Sequence, residues 1–348
     1  MSKVVMEEIS CEKGKSMKRY RVDNFGDLSI SILDYGLTIE VLKYKGINRV
    51  LTLEDPKDYL LNKHFMGATI GRVAGRLSKA LIDIDGRKYP LDQNEGKHCL
   101  HGGFRGFSNK KWKYCGSSEM NSEEKEEEFS MGFLMTSEDG EGGFPGNLKV
   151  KTRFRIQKKG KLIIEYFAKT DKKTPITITN HSYFNLNKDP MKTIENHYLM
   201  INSKEYLQVN EDKLPKVFRS VEGTFFDFRE NRNLGEALKQ LNKRGVEKID
   251  HPFIFSQEER KLQLICYESN TRLVINTTEP CLIVHCGNPK RKEIAFQDKD
   301  SDKNFQGICL DTQWFPNALN TDFLPKNLIT PQKEYYSRTE YQFEYYKE

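Results

Sequence analysis

The run Leu148-Lys149-Val150-Lys151-Thr152-Arg153-Phe154-Arg155-Ile156 decides the fold class. Leu148, Val150, Thr152, Phe154 and Ile156 give one face that is apolar or β-branched, and Lys149, Lys151, Arg153 and Arg155 give a cationic one. A side-chain period of two with one wet face is what a half-buried antiparallel strand requires. Lys158-Lys159-Gly160 turns the chain into a second strand, Lys161 to Lys169, and Asp85-Gly86 does the same between Leu81–Ile84 and Arg87–Tyr89. Both read as hairpins, with glycine at the turn. Tyr341-Gln342-Phe343-Glu344-Tyr345 repeats the alternation.

Helical signal is sparse. Asp55-Pro56-Lys57-Asp58-Tyr59-Leu60-Leu61 reads as a short capped helix with Pro in its first turn, and Asn233 to Leu241 as another. Neither is long enough for the crossover that joins parallel strands, which argues against an α/β fold. Ser122-Glu123-Glu124-Lys125-Glu126-Glu127-Glu128 reads as a solvated hairpin tip. No linker rich in Pro, Gly or Ser divides the chain and no repeat stands out. The expected architecture is all-β: one large antiparallel β-sandwich over residues 1–348.

A chain of 348 residues would by length alone favour two domains, but all-β folds are the standing exception. Hydrophobic residues make up 37%, with 21 Phe and 16 Tyr, so a large core can form and a disordered or collagenous chain is excluded. The 56 Lys and Arg against 50 Asp and Glu leave a net charge of +6, with no basic block to track a phosphate backbone, so nucleic acid is not the expected partner. No run of apolar residues is long enough to span a bilayer, and residues 1–20 are charged throughout, so neither a membrane anchor nor a signal peptide is expected. The seven cysteines, at 11, 99, 115, 266, 281, 286 and 309, are scattered and lack a CxxC pair. They suggest neither a disulfide frame nor a zinc cage, and a cytoplasmic setting fits best.

Strands do not bury isolated imidazoles cheaply, and two of the seven histidines sit in specific settings. His101 lies in Cys99-Leu100-His101-Gly102-Gly103, where paired glycines permit close backbone approach to a ligand. His181 lies in Thr179-Asn180-His181-Ser182-Tyr183-Phe184-Asn185, hydrogen-bonding groups alternating with aromatics that would suit a sugar's hydroxyls and ring face. No HxH, HExxH or paired-cysteine spacing supports a metal. A serine nucleophile lacks its GxSxG elbow, and Ser182 beside His181 on a strand would point the other way. General acid–base chemistry on a polar small molecule remains, and it needs a carboxylate. Asp250, in Lys248-Ile249-Asp250-His251-Pro252-Phe253, and Asp311, in Cys309-Leu310-Asp311-Thr312-Gln313, are the acids flanked by apolar strand residues. Either is alternatively a strand-end carboxylate held by backbone amides. Arg72 and Arg76, in Gly71-Arg72-Val73-Ala74-Gly75-Arg76, offer forked donors, although a surface role is usual for a lone arginine.

Taken in order, these motifs resemble the galactose mutarotase (aldose 1-epimerase) family along nearly the whole chain. Phe65-Met66-Gly67-Ala68-Thr69-Ile70-Gly71-Arg72-Val73-Ala74 is similar to its early signature, followed by Leu100-His101-Gly102-Gly103 and Gly106-Phe107. Asp139 to Gly146, Thr174-Pro175 with Thr179 to Asn185, Gly223 to Arg229, and Asp250-His251 follow in the expected sequence. The resemblance implies a β-supersandwich and cofactor-free, metal-free interconversion of the α and β anomers of a free hexose such as galactose or glucose. It implies His181 as general acid and Asp311 as general base, with Arg76, His101 and Asp250 gripping sugar hydroxyls. A monosaccharide is the expected partner, and the protein is expected to be a monomer or weak dimer.

In three places the chain departs from the family's usual pattern: Asp311 stands where Glu is usual, Gly75 where Asn is usual, and Ile283 in a strand that usually carries Gln. Asp keeps the carboxylate but shortens its reach by one methylene, roughly 1.5 Å. Two alternatives follow: a non-catalytic sugar-binding or regulatory protein on the same scaffold, or an epimerase for a decorated sugar such as a phosphate or uronate.

Overall fold

A computed structural model describes residues 4–11, 16–121, 127–246, 248–256, 261–287 and 305–346. The deciding strand runs Leu148–Gln157 and pairs antiparallel with Glu127–Ser137 on one side and Lys161–Thr170 on the other. All three belong to a nine-stranded sheet that continues through Tyr335–Tyr345, Thr271–Thr277, Lys261–Cys266 and Tyr198–Ile201 to a short edge at Arg232–Asn233. Its cationic face is paired across strands: Arg155 Nε donates to Glu128 at 2.6 Å and Arg153 Nε to Glu165 at 2.8 Å. Opposite charges facing one another across a ladder support its register.

A five-stranded sheet carries the N-terminal strands from Val5 to Asn48. A six-stranded sheet is ordered Tyr183–Phe184, Gly307–Gln313, Cys281–Gly287, Asp250–Phe255, Ser203–Val209, Pro215–Ser220. Alternation sorts its side chains. Phe253, Leu282, Val284, Ile308 and Leu310 join one hydrophobic cluster with Leu273, Ile275, Tyr341 and Phe343 of the nine-stranded sheet. The Thr312 hydroxyl reaches the same side, 2.7 Å from that of Thr339. This is face-to-face sheet packing around a common core, and it leaves the odd-numbered residues of Gly307–Gln313 on the other face.

Both expected hairpins form. At the second, Asp85 and Gly86 take φ of 53° and 81°, the left-handed pair that a two-residue turn between twisted strands favours. Both helical segments form as well: Pro56–Leu61 is a 3-10 helix whose cap Asp55 accepts from Lys57 N, and Leu234–Asn242 is an α-helix capped by Asn233.

Three local expectations are corrected. Ser122 to Glu126 of the acidic run lie outside the described residues, but Glu128 is buried in the Glu127–Ser137 strand against Arg155, not solvated at a tip. Thr179 to Asn185 is not a continuous strand: Thr179–Asn180 and Tyr183–Phe184 pair with different partners, and His181 and Ser182 form the link between them. Arg72 is no surface residue; it is 1% exposed, and its guanidinium donates to the carbonyls of Pro145, Gly146 and Ser137. A fork with several donors suits such a cluster of loop carbonyls.

Candidate active site

The outer face of the six-stranded sheet is the floor of a cleft of about 230 Å³. At roughly 30 Å³ per water, that is room for about seven or eight waters. Two cross-strand rows build this floor. Asp250 pairs with His285, His285 with Cys309, and Cys309 with Tyr183; one step along, Pro252 pairs with Ile283 and Ile283 with Asp311. Strands about 4.8 Å apart put Asp250 and Asp311 on opposite sides of the cleft, two strands from one another. The facing wall comes from Phe65, Gly75, Arg76, Leu100 and His101.

His181 hangs from the link between its two short strands. Its backbone N–H donates to Ala68 O and its carbonyl accepts from Gly67 N, both at 2.9 Å, and the Asn180 amide donates to Gly67 O at 2.8 Å. These bonds fix the backbone from which the ring projects. Nε2 lies 3.4 Å from Asp311 Oδ2, and Nδ1 lies 3.4 Å from Cys309 Sγ. Asp311 is 2% exposed, and its Oδ1 has no partner among the described residues. The carboxylate is therefore not tied up by backbone amides, as a strand-end acid would be.

Burial pushes both members of the pair toward their neutral forms. His181 is lowered to about 3, by burial first and then by the charge His285 would carry. Asp311 is raised well above the usual carboxylate range, by burial first and then by the charge of Asp250. Ile283, its cross-strand neighbour, adds apolar surface on that side.

His101 is held by a reciprocal pair of bonds with Gly75: its N–H donates to Gly75 O at 3.0 Å, and its Nδ1 accepts from Gly75 N at 3.2 Å. Burial lowers its pKa well below the ordinary value, so the ring is neutral and its proton sits on Nε2. Gly75 has φ of 83°, and a side chain there would begin 3.3 Å from Pro316 and 3.4 Å from Gln313 Nε2. Glycine takes this left-handed backbone without strain, and Asn tolerates it better than most residues do.

Arg76 is clamped by Glu95, with Nε donating at 2.6 Å and Nη2 at 2.7 Å. That bidentate pair fixes the fork beside the cleft and leaves Nη1 for a ligand. Asp250 Oδ1 approaches His285 Nδ1 at 3.6 Å. Burial pushes Asp250 up, but its contact with His285 and the charges of Arg76 and Lys213 outweigh it and hold the carboxyl below its ordinary range. Asp250 is thus an ionised acceptor.

His181, Cys309 and Asp311 bring metal-ligating atoms within 4.8 Å of one another, the one such group among the described residues. Their contacts use opposite ring nitrogens, sulfur at Nδ1 and carboxylate at Nε2. The sulfur makes a hydrogen-bond contact at Nδ1, and the carboxylate lies 3.4 Å from Nε2.

The aldose 1-epimerase family model matches residues 18–342. The chain belongs to the aldose 1-epimerase family. Rat galactose mutarotase is 32% identical over 325 residues, covering 91% of each chain. The aldose 1-epimerase of Escherichia coli is 30% identical over 348 residues, covering 95% of this chain and 96% of its own. The crystal structure of a galactose 1-epimerase from Lactobacillus acidophilus superposes with a TM-score of 0.84 at 27% identity, covering both chains fully. The all-β supersandwich expected for the family is the fold observed, and no helix among the described residues is long and apolar enough to cross a membrane.

The cleft of this family member gathers all five residues singled out from the sequence: Arg76, His101, His181, Asp250 and Asp311 line it together. Sequence reasoning missed Glu95, which orients Arg76, and Cys309, which contacts His181. The second had a readable signal, since Cys309 and Asp311 are two apart on a strand and share a face. Of the remaining histidines, His197 is structural: it is fully buried, and its Nε2 accepts from Leu186 N at 2.8 Å.

Proposed function

We propose that this chain is an aldose 1-epimerase that interconverts the α and β anomers of a free hexose, with Asp311 and His181 as the proton-exchanging pair. The observation that carries the reading is the 3.4 Å contact between Asp311 Oδ2 and His181 Nε2, both buried, at the floor of a cleft with polar walls. A carboxyl and an imidazole buried in contact, both pushed toward neutrality, are suited to exchange protons with one substrate, and anomer exchange needs one proton removed and one supplied.

In this reading the sugar lies with its anomeric carbon beside Asp311 and its ring oxygen beside His181. Asp311 takes the proton of the anomeric hydroxyl as Nε2 of His181 gives one to the ring oxygen. The bond from C1 to the ring oxygen breaks, its electron pair goes to that oxygen, and C1 becomes an aldehyde. Rotation about the C1–C2 bond presents the other aldehyde face. The ring oxygen re-attacks and both protons return. No covalent enzyme intermediate is required.

Asp250, ionised at the far end, accepts from sugar hydroxyls, while His101 Nε2–H and Arg76 Nη1 donate to them. A purely sugar-binding role would have no use for a carboxyl and an imidazole buried in contact with one another.

Polarimetry tests the proposal. Freshly dissolved α-glucose and α-galactose should reach anomeric equilibrium faster with protein than in buffer alone. No acceleration on either sugar, at protein concentrations where sugar binding is measurable, would overturn it.

A further inference from the structure

The mechanism above makes no use of Cys309, yet its thiol is fully buried and its sulfur lies 3.4 Å from Nδ1 of His181. We propose that Cys309 is a positioning residue whose sulfur accepts from Nδ1–H of His181, holding the imidazole in the tautomer that presents a bare Nε2 to the proton shared with Asp311. The inference rests on the acid–base reading of His181 and Asp311.

Counting donors and acceptors decides the tautomer. With Asp311 neutral, its one hydroxyl proton sits on Oδ2, facing Nε2, or on Oδ1, which has no partner among the described residues. A buried O–H without an acceptor is costly, so the proton belongs on Oδ2 and points at Nε2. The ring proton is then on Nδ1, where the sulfur, which the Tyr183 hydroxyl also contacts, is the side-chain atom that meets it. The alternative tautomer would satisfy the weak S–H donor and strand the strong O–H.

The strand supplies this arrangement directly. Cys309 and Asp311 alternate onto the cleft face of Gly307–Gln313, with Leu310 between them turned to the core. Cys309 pairs with Tyr183, two residues beyond His181, so the register that builds the sheet edge also sets the sulfur behind the ring. Burial pushes the thiol pKa well above its ordinary value, so the sulfur stays an uncharged S–H.

An uncharged acceptor suits the reaction. A carboxylate at Nδ1 would stabilise the imidazolium and resist loss of its proton. Anomer exchange needs His181 to give its proton and take it back in every turnover. Sulfur accepts from Nδ1–H in both the imidazole and the imidazolium, so one ring orientation serves both states.

The test combines spectroscopy with kinetics. In sugar-free wild-type protein labelled with ¹⁵N-histidine at neutral pH, the His181 resonances should show a protonated Nδ1 and an unprotonated, hydrogen-bonded Nε2. A bare Nδ1 with a protonated Nε2 would overturn the proposal whatever the variants do. Cys309→Ala removes the acceptor. Its kcat should fall roughly ten- to a hundredfold, the scale of one unmade bond to a buried polar group, with KM changed less than threefold. The acid limb of its kcat/KM profile, set by His181, should also move to lower pH, because the imidazolium has lost its partner. Cys309→Ser restores an uncharged acceptor and should recover most of the rate and the limb. A folded Cys309→Ala protein with wild-type kcat and pH profile would refute the role, as would a Cys309→Ser protein no better than Cys309→Ala.

Discussion

Replacing Asp311 by Glu asks whether this cleft is fitted to the shorter carboxylate or has merely lost the longer one. The added methylene extends the side chain by roughly 1.5 Å. The wild-type carboxylate already lies 3.4 Å from His181 Nε2 and is 2% exposed. Extension along that line would bring oxygen and nitrogen to about 1.9 Å, far inside the roughly 2.7 Å minimum for a hydrogen bond. The glutamate must then bend into a strained rotamer, at about 1–3 kcal/mol for overpacking, or swing into the cleft and separate from His181. Either way the pair is displaced by about 1 Å, a misplacement that can cost on the order of a hundredfold in rate. The expected outcome for Asp311→Glu is no gain and a loss of about ten- to a hundredfold, read by polarimetry on glucose and galactose with a thermal melt to confirm folding. If the site were instead a decayed glutamate site, restoring the methylene would raise turnover by an order of magnitude or more. A tenfold gain on either sugar would refute the reasoning.

His181→Asn and Asp311→Asn should each reduce kcat by about a hundredfold or more while changing sugar affinity less, because hydrogen-bonding capacity partly survives; near-normal turnover in Asp311→Asn would mean the base is another group. The same Asp311→Asn protein should melt at higher temperature than wild type near pH 7. A buried acid whose folded pKa is raised binds more protons folded than unfolded, so its ionisation costs stability increasingly as pH rises above the unfolded value near 3.9. Equal or lower melting temperatures would contradict that. In kcat/KM, activity should hold across a plateau bounded below by His181 near pH 3 and above by the raised pKa of Asp311, because the pair works while it holds one exchangeable proton. A bell centred near pH 5, midway between the ordinary aspartate and histidine values of about 3.9 and 6.5, would argue for two independent groups. Exhaustive chelation should leave mutarotation unchanged, and a loss restored by one divalent ion would overturn the proton-only mechanism.

The strands were legible because alternation is local: Leu148–Gln157 shows in its own residues which face is wet. The chemistry-bearing side chains were legible for a related reason. Asp250 and Asp311 are charges embedded in apolar strand sequence, and His101 adjoins glycines that let backbone crowd it. What the sequence hid is the pairing between distant segments. Nothing near Glu95 marks it as the partner of Arg76, since they meet through the register of two-residue strands that sets Leu100 opposite Arg76. Thr179 to Asn185 misled for the opposite reason: its composition suits a strand, but the two short strands pair with different partners and pull the chain apart at His181. The link between them carries His181, whose Nε2 lies 3.4 Å from Asp311 Oδ2.

In the proposed mechanism, burial of the pair explains how one site serves both halves of the reaction. A cyclic sugar calls for ionised Asp311 and protonated His181; the open-chain sugar, with its new hydroxyl on the former ring oxygen, calls for neutral Asp311 and neutral His181. The second arrangement is the first with one proton on the aspartate instead of the histidine, so opening the ring neutralises the pair in place. The empty site favours that neutral form, because burial disfavours both charges. The protein surroundings therefore stabilise the enzyme partner of the open-chain intermediate, the state that mutarotation must reach and leave from either face. Ile283, set beside Asp311 by the strand register, strengthens this bias by withholding polar contact from the carboxyl. Asp250 would counter it at the far end, since an ionised carboxylate with His285 and Lys213 near it can accept from hydroxyls whether the ring is open or closed. In that mechanism the Asp250 end stays fixed to the sugar while the paired end changes charge, and that division would let the C1–C2 bond turn without release of the substrate.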